Sequence, residues 1–185
     1  MQAARVLVVA AVFLCGSGFV QGAEDYPLSL TMDANLTAGP TTVSSVVTIQ
    51  VERLMSKSGL TRVSNELKFG GYTRFLNALR PLPVVGSVEV NGRKVDLRYA
   101  NEQRSEAGRR LVLVSDQPLV FLSSDPDKNR TGYQLTIVEL NFDAKGSVSG
   151  TMAGAARVKP SPDGSVVLDD YSAAPIKLTP RVTKP

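Results

Sequence analysis

The chain has 185 residues, 21 Lys and Arg against 17 Asp and Glu, no His and a single Cys. The lack of His removes His-based acid–base catalysis, Ser-His-Asp triads and the common zinc sites, which lean on His and Cys. One Cys leaves no intrachain disulfide, and a mild positive charge without a basic block gives no nucleic-acid footprint.

The first 22 residues have the order of a secretory signal peptide. Arg5 supplies the positive end, "VLVVAAVFL" (Val6 to Leu14) the apolar stretch, and "CGSGFVQGA" the small residues before cleavage. Cleavage is expected after Gly22, with Val20 three positions from the cut; cleavage after Ala23 is the near alternative. The apolar run is too short for a span of roughly 20 residues. A retained anchor is one alternative reading. Lipidation at Cys15 is another, disfavoured because Leu14 stands where that processing takes a small residue. A mature chain without thiols fits a bacterial envelope, periplasmic or extracellular, better than a disulfide-stapled secreted scaffold. The sequons at Asn35 and Asn129 carry no weight there.

Residues 23–40 read as an N-terminal segment. It holds one short edge strand, "SLTM" (Ser29 to Met32), and the loop "LTAGPTT". Residues 41–185 read as a single β-rich domain. "VVTIQVERL" alternates, with Val47, Ile49 and Val51 on the buried face. The period then changes. Leu60, Val63 and Leu67, then Tyr72, Phe75, Leu76 and Leu79, predict two short helices near 58–80, separated by Gly70-Gly71 and ended by Pro81.

From Val84 on, strands and turns follow. Asn91-Gly92 predicts a tight hairpin. "KVDLRYANEQR" pairs with "RRLVLVS", and "PLVFL" is a short apolar strand. "YQLTIVELNF" and "SVSGTMAGAARVK" flank Lys145-Gly146, "VVLDDY" follows Pro162-Asp163-Gly164, and "IKLTPRV" closes the chain as an edge or frayed segment because of Pro180 and Pro185. The fold class expected is mainly β: an antiparallel meander, sandwich or barrel, with the helical pair inserted.

No catalytic motif emerges. "GSVSG" has Val148 where a nucleophile elbow needs Ser. Paired carboxylates among Asp96, Glu102, Asp116, Glu139, Asp143, Asp169 and Asp170 are the chemistry still open, as in glycoside hydrolysis. Asp125, Asp127 and Asn129 start a calcium-loop pattern. Arg130 and Thr136 then stand where the sharp turn and the bidentate ligand belong, so an Asp-Pro-Asp turn is expected in place of a metal site, with a weak calcium site on those three residues as the alternative. No cofactor is expected.

Three arginines form the main candidate site. As one strand, Lys94 to Arg104 puts Val95, Leu97 and Tyr99 on one face and Asp96, Arg98, Glu102 and Arg104 on the other. Leu111 to Val114 is apolar throughout, so both of its faces are covered. Arg98 beside it then needs a carboxylate, Asp96 or Asp116. The alternative is an anion site built on Arg98, Arg109 and Arg110. Strict alternation also puts Val148, Gly150, Met152, Gly154, Ala156 and Val158 on one face. These small residues admit a close helix or, alternatively, an apolar ligand against Gly150 and Gly154.

The run "DLRYANEQ" followed by "GRRLVLVSDQPL", with the helix-Gly-Gly-helix block upstream and "LTIVELNFDAKGSVSGTM" downstream, resembles a family of uncharacterised exported β-rich proteins of soil-type bacteria such as Acidobacteria. The resemblance covers roughly residues 47–158. It departs at "ERLMS", where those relatives more often have Arg-Trp-Ser/Thr. It implies export and a β architecture, but no functional residues. The function expected is a non-catalytic binding or scaffolding role, with a protein partner in the envelope. The alternatives are a barrel holding a small apolar ligand, or a carboxylate-based hydrolase.

Overall fold

The computed structural model describes residues 26–38, 41–119, 132–171 and 175–181. The signal segment with Cys15, the calcium-like run Asp125, Asp127 and Asn129, and most of "PLVFL" lie outside the described residues.

Among the described residues, one helix and ten strands follow in the order β1 (Leu28–Ala38), β2 (Thr41–Val51), α1 (Lys57–Leu79), β3 (Gly86–Val90), β4 (Arg93–Leu97), β5 (Tyr99–Ser105), β6 (Gly108–Ser115), β7 (Leu135–Asp143), β8 (Val148–Pro160), β9 (Val166–Tyr171) and β10 (Ile176–Pro180). All pairings are antiparallel. The sheet runs β4-β3-β2-β1-β10-β8-β7-β6-β5, with β9 added on β8. It is nearly closed into a barrel.

The closure rests on one residue. The two ends of the strand order, β4 and β5, are consecutive in sequence and only Arg98 lies between them. Leu97 O accepts from Val85 N at 2.8 Å on the β3 side, and Arg98 N donates to Val114 O at 3.0 Å on the β6 side. The chain therefore crosses from one partner strand to the other at this point.

Arg98 also changes which face points inward. Val95 and Leu97 pack in the barrel interior, whereas Tyr99 lies in the outer cluster under α1 and Ala100 in the interior. The strict alternation that put Val95, Leu97 and Tyr99 on one face is corrected here. A residue that leaves the ladder shifts the two-residue period, and every later side chain changes side.

Inside the barrel, Met32, Val47, Ile49, Val88, Leu113 and Leu140 meet from strands far apart in sequence. Outside it, α1 lays Val63, Leu67, Phe75, Leu76 and Leu79 over Val112, Val114, Ile137, Ala153 and Ala156. Leu111 and Leu113 face in while Val112 and Val114 face the helix, so both faces of β6 are covered as its composition predicts. Burying Leu-sized side chains contributes about 1.5–3 kcal/mol each. Ser56 caps α1 by accepting from Gly59 N at 3.2 Å. The helical pair appears as one element broken at Gly71, whose φ of 71° and ψ of −169° are not helical. Gly supplies that conformation without a Cβ penalty. The tight turn at Asn91-Gly92, both with positive φ, is also as expected.

Two strands differ from the sequence reading. β1 has 11 residues and is bonded on both sides, to β2 and β10, so it is no short edge strand. β10 is likewise interior, between β1 and β8; Pro180 stands opposite Met32 at its last position. Pro is tolerated there because no further ladder bond is required.

On the β1–β4 wall the outward residues are mostly polar, with Thr31, Gln50, Glu89 and Lys94 exposed beside one apolar side chain, Val46. With an apolar interior, this is the reverse of a membrane barrel's lipid face. No helix among the described residues is long and apolar enough to cross a membrane.

Candidate functional site

The face change at Arg98 turns Glu102 and Arg104 toward the inside. They follow Ala100 along β5, and Arg104 stands opposite Arg109 in the β5–β6 register. Glu102 is the hub. Its side chain is 5% exposed and accepts from Arg104 Nε at 2.5 Å, Arg109 Nη1 at 3.0 Å and the Tyr26 hydroxyl at 2.9 Å. Burial, and then the hydrogen bond to Glu102, push the Tyr26 hydroxyl far above the ordinary tyrosine range. The Arg109 guanidinium also stacks on Phe142, 4.1 Å from the ring centroid.

Above this hub lies an open groove of about 590 Å³, lined by Arg104, Arg109, Arg110, Asn141, Phe142, Ser147 and Ser149 among others. Its far rim is the turn after β7. Asp143 Oδ1 accepts from Lys145 N and Ser147 N, both at 2.8 Å, and so fixes that turn. Arg110 points to the outer side and pairs with Glu139 at 2.9 Å.

Of the three predicted arginines, Arg109 and Arg110 line the groove and Arg98 does not. Arg98 Nε donates to Asp116 Oδ1 at 3.0 Å and its Nη1 to Leu82 O at 2.5 Å. It ties β4, β5, the end of β6 and the segment after α1 together, which is the structural ion pair anticipated from its neighbours. Arg104 in the groove and Tyr26 in the hub beside it are the residues that sequence reasoning missed. Arg104 was legible as a charged strand position, but only the face change aims it inward. Tyr26 lies 76 residues from Glu102, and no local pattern links them.

Gly150 and Gly154 do not share a face. Ile137 pairs with Ala153 but Leu135 with Ala156, so β8 carries one extra residue at this bulge. Gly150 faces the interior, where a Cβ would collide with Glu139 O and stand 2.9 Å from Leu140 Cδ2. Gly154 sits in the bulge, its carbonyl accepting from Leu119 N at 2.7 Å. The helix covers Ala153 and Ala156 instead. The small residues thus serve close packing on both sides of the wall.

Of the carboxylates considered for hydrolysis, Glu102 and Asp143 are held in the hub and in the turn beside the groove, and four others are paired. Asp116, Glu139 and Asp169 pair with Arg98, Arg110 and Lys159. Asp170 accepts from the Tyr133 hydroxyl at 2.5 Å, which holds its carboxyl below the usual range. No group of three His, Cys, Asp or Glu able to hold a metal ion occurs among the described residues.

Comparison with protein-family models, with curated proteins and with solved structures gives no match.

Proposed function

We propose that the chain is an exported, non-catalytic binding protein of the bacterial envelope, and that the groove at the barrel end takes a small anionic ligand. Export rests on the signal-like order of residues 1–22, and the resemblance to exported β-rich bacterial proteins belongs to the same reading. The observation that carries the binding reading is the layering of charge. Glu102 is buried, while Arg104 and Arg109, 44% and 19% exposed, lie between it and the groove. A ligand entering the groove meets guanidinium edges held in place by Glu102 and Phe142. Planar guanidinium groups suit carboxylate and phosphate oxygens, and holding them beforehand lowers the ordering cost of binding.

The test is an NMR titration of the protein with inorganic phosphate and with acetate. Saturable shifts at the amides of Ser105, Asn141 and Ser147, lost in an Arg104→Ala, Arg109→Ala double variant that still folds, are expected. Shifts that never saturate, or that persist undiminished in the double variant, would sink the proposal. The mass of the mature protein from its host tests export, with Ala23 expected as the first residue.

A further inference from the structure

We propose that the outward face of α1 is a docking surface for an anionic lipid bilayer. This goes beyond the groove and does not depend on it. Lys57, Arg62, Lys68 and Arg74 on α1 and Arg80 at its C-cap are all exposed. The sole acidic residue of the helix is Glu66, which is half-buried. The helix and its cap therefore carry as much net positive charge as the whole chain, whose formal value is +4. The rest of the molecule sums to about neutral, so its positive field is concentrated on this one element.

Phe69 stands in the middle of these cations. It is 75% exposed, more than any other large hydrophobic side chain among the described residues. The Lys68 ammonium lies 5.4 Å from its ring centroid. Gly70 and Gly71 follow, and neither adds a side chain of its own beside the ring. A Cβ at Gly70 would collide with the Arg74 side chain, and at Gly71 it would meet nothing within 4 Å. The arrangement is an exposed aromatic ring among exposed cations, on a helix whose other face is committed to the barrel.

A lone exposed Phe is ordinary, and so is a basic helix. Their coincidence selects the occupant. A soluble polyanion would neutralise the cations and leave Phe69 in water. An anionic bilayer takes both, its phosphates meeting the Lys and Arg heads while the ring enters the interfacial layer. The buried face of α1 fixes the helix on the barrel, so Lys57, Arg62, Lys68 and Phe69, all before the break at Gly71, are presented on one helical segment.

The experiment is co-sedimentation with vesicles of phosphatidylcholine alone and of equal parts phosphatidylcholine and phosphatidylglycerol, at low and high salt. Wild type and variants share one N-terminus, so any contribution from it cancels. Binding to the anionic vesicles, weakened by salt and absent with phosphatidylcholine, is expected. Arg62→Glu with Lys68→Glu should weaken it by about tenfold or more, given about 1 kcal/mol per cation near such a surface. Phe69→Ala should weaken it about tenfold while leaving folding unchanged. No binding to anionic vesicles, or equal binding by the Phe69→Ala variant, overturns the proposal. So does a concentration-dependent dimer abolished by Phe69→Ala, which would make a second copy the occupant.

Discussion

Arg98 and Asp116 meet where the barrel closes, Nε to Oδ1 at 3.0 Å, with side chains 21% and 11% exposed. The pair spans the point at which the chain passes from the β3 side to the β6 side. Removing one partner leaves the other charge poorly hydrated inside the fold, which costs about 3–5 kcal/mol in full burial. Some water reaches Arg98, so Arg98→Ala is expected to cost about 2–3 kcal/mol. Asp116→Asn keeps an acceptor and should cost about 1 kcal/mol. Urea unfolding measures both; an Arg98→Ala change within about 0.5 kcal/mol of wild type would mean that backbone pairing alone holds the seam.

Gly150 gives a test in which two effects have opposite signs. In a strand, Val is favoured over Gly by up to about 1 kcal/mol. Overpacking a filled interior costs about 1–3 kcal/mol. Because a Cβ at 150 collides with Glu139 O, the second effect wins, and Gly150→Val should lower the denaturation midpoint. A stabilised Gly150→Val variant would reveal room inside the barrel and revive the apolar-ligand reading.

Glu102→Gln removes the charge on which Arg104, Arg109 and Tyr26 converge. Hydrogen bonds to a charged group contribute about 1.5–3 kcal/mol, and a loss of that order in thermal stability is expected. The Tyr26 hydroxyl should then titrate lower, because the Glu102 hydrogen bond and charge both help to raise it, yet stay raised, because burial is the larger cause. NMR titration of a labelled Tyr26 ring reads this directly.

Alkaline pH should destabilise the fold through Tyr99. Burial pushes its hydroxyl from 10.0 up to about 12. The folded value lies above the unfolded one, so the neutral form is the one that folding favours. Its contribution is whole below pH 10 and is lost as pH rises through about 12. Tyr99→Phe should flatten this decline without abolishing it, since Tyr26 and Tyr72 are raised as well. Chemical denaturation across that pH range, with tyrosinate absorbance as a second probe, checks the sign and the window.

The strands and turns were legible where side chains repeat a simple period. Val47, Ile49 and Val51 alternate, Leu111 to Val114 are apolar throughout, and Asn91-Gly92 marks its hairpin; each lies as expected. Of the candidate site, Arg109 and Arg110 were visible as charged positions beside an apolar strand. The groove was not, because it depends on the step at Arg98, which turns Glu102 and Arg104 inward; the faces of Gly150 and Gly154 were misplaced for a like reason, the extra residue of β8. A period-two pattern carries no mark of where it slips.

By itself the sequence determined that this is a mainly β protein without His, with a helical pair interrupted at Gly70-Gly71, because those properties follow from composition and local spacing. Tertiary structure decided that β1 and β10 lie inside the sheet, that Arg98 closes it, and that Tyr26 reaches Glu102 across 76 residues. These are pairings between segments far apart along the chain. Local periodicity says which face of a strand is buried, but the partner it is buried against is chosen only when the sheet closes.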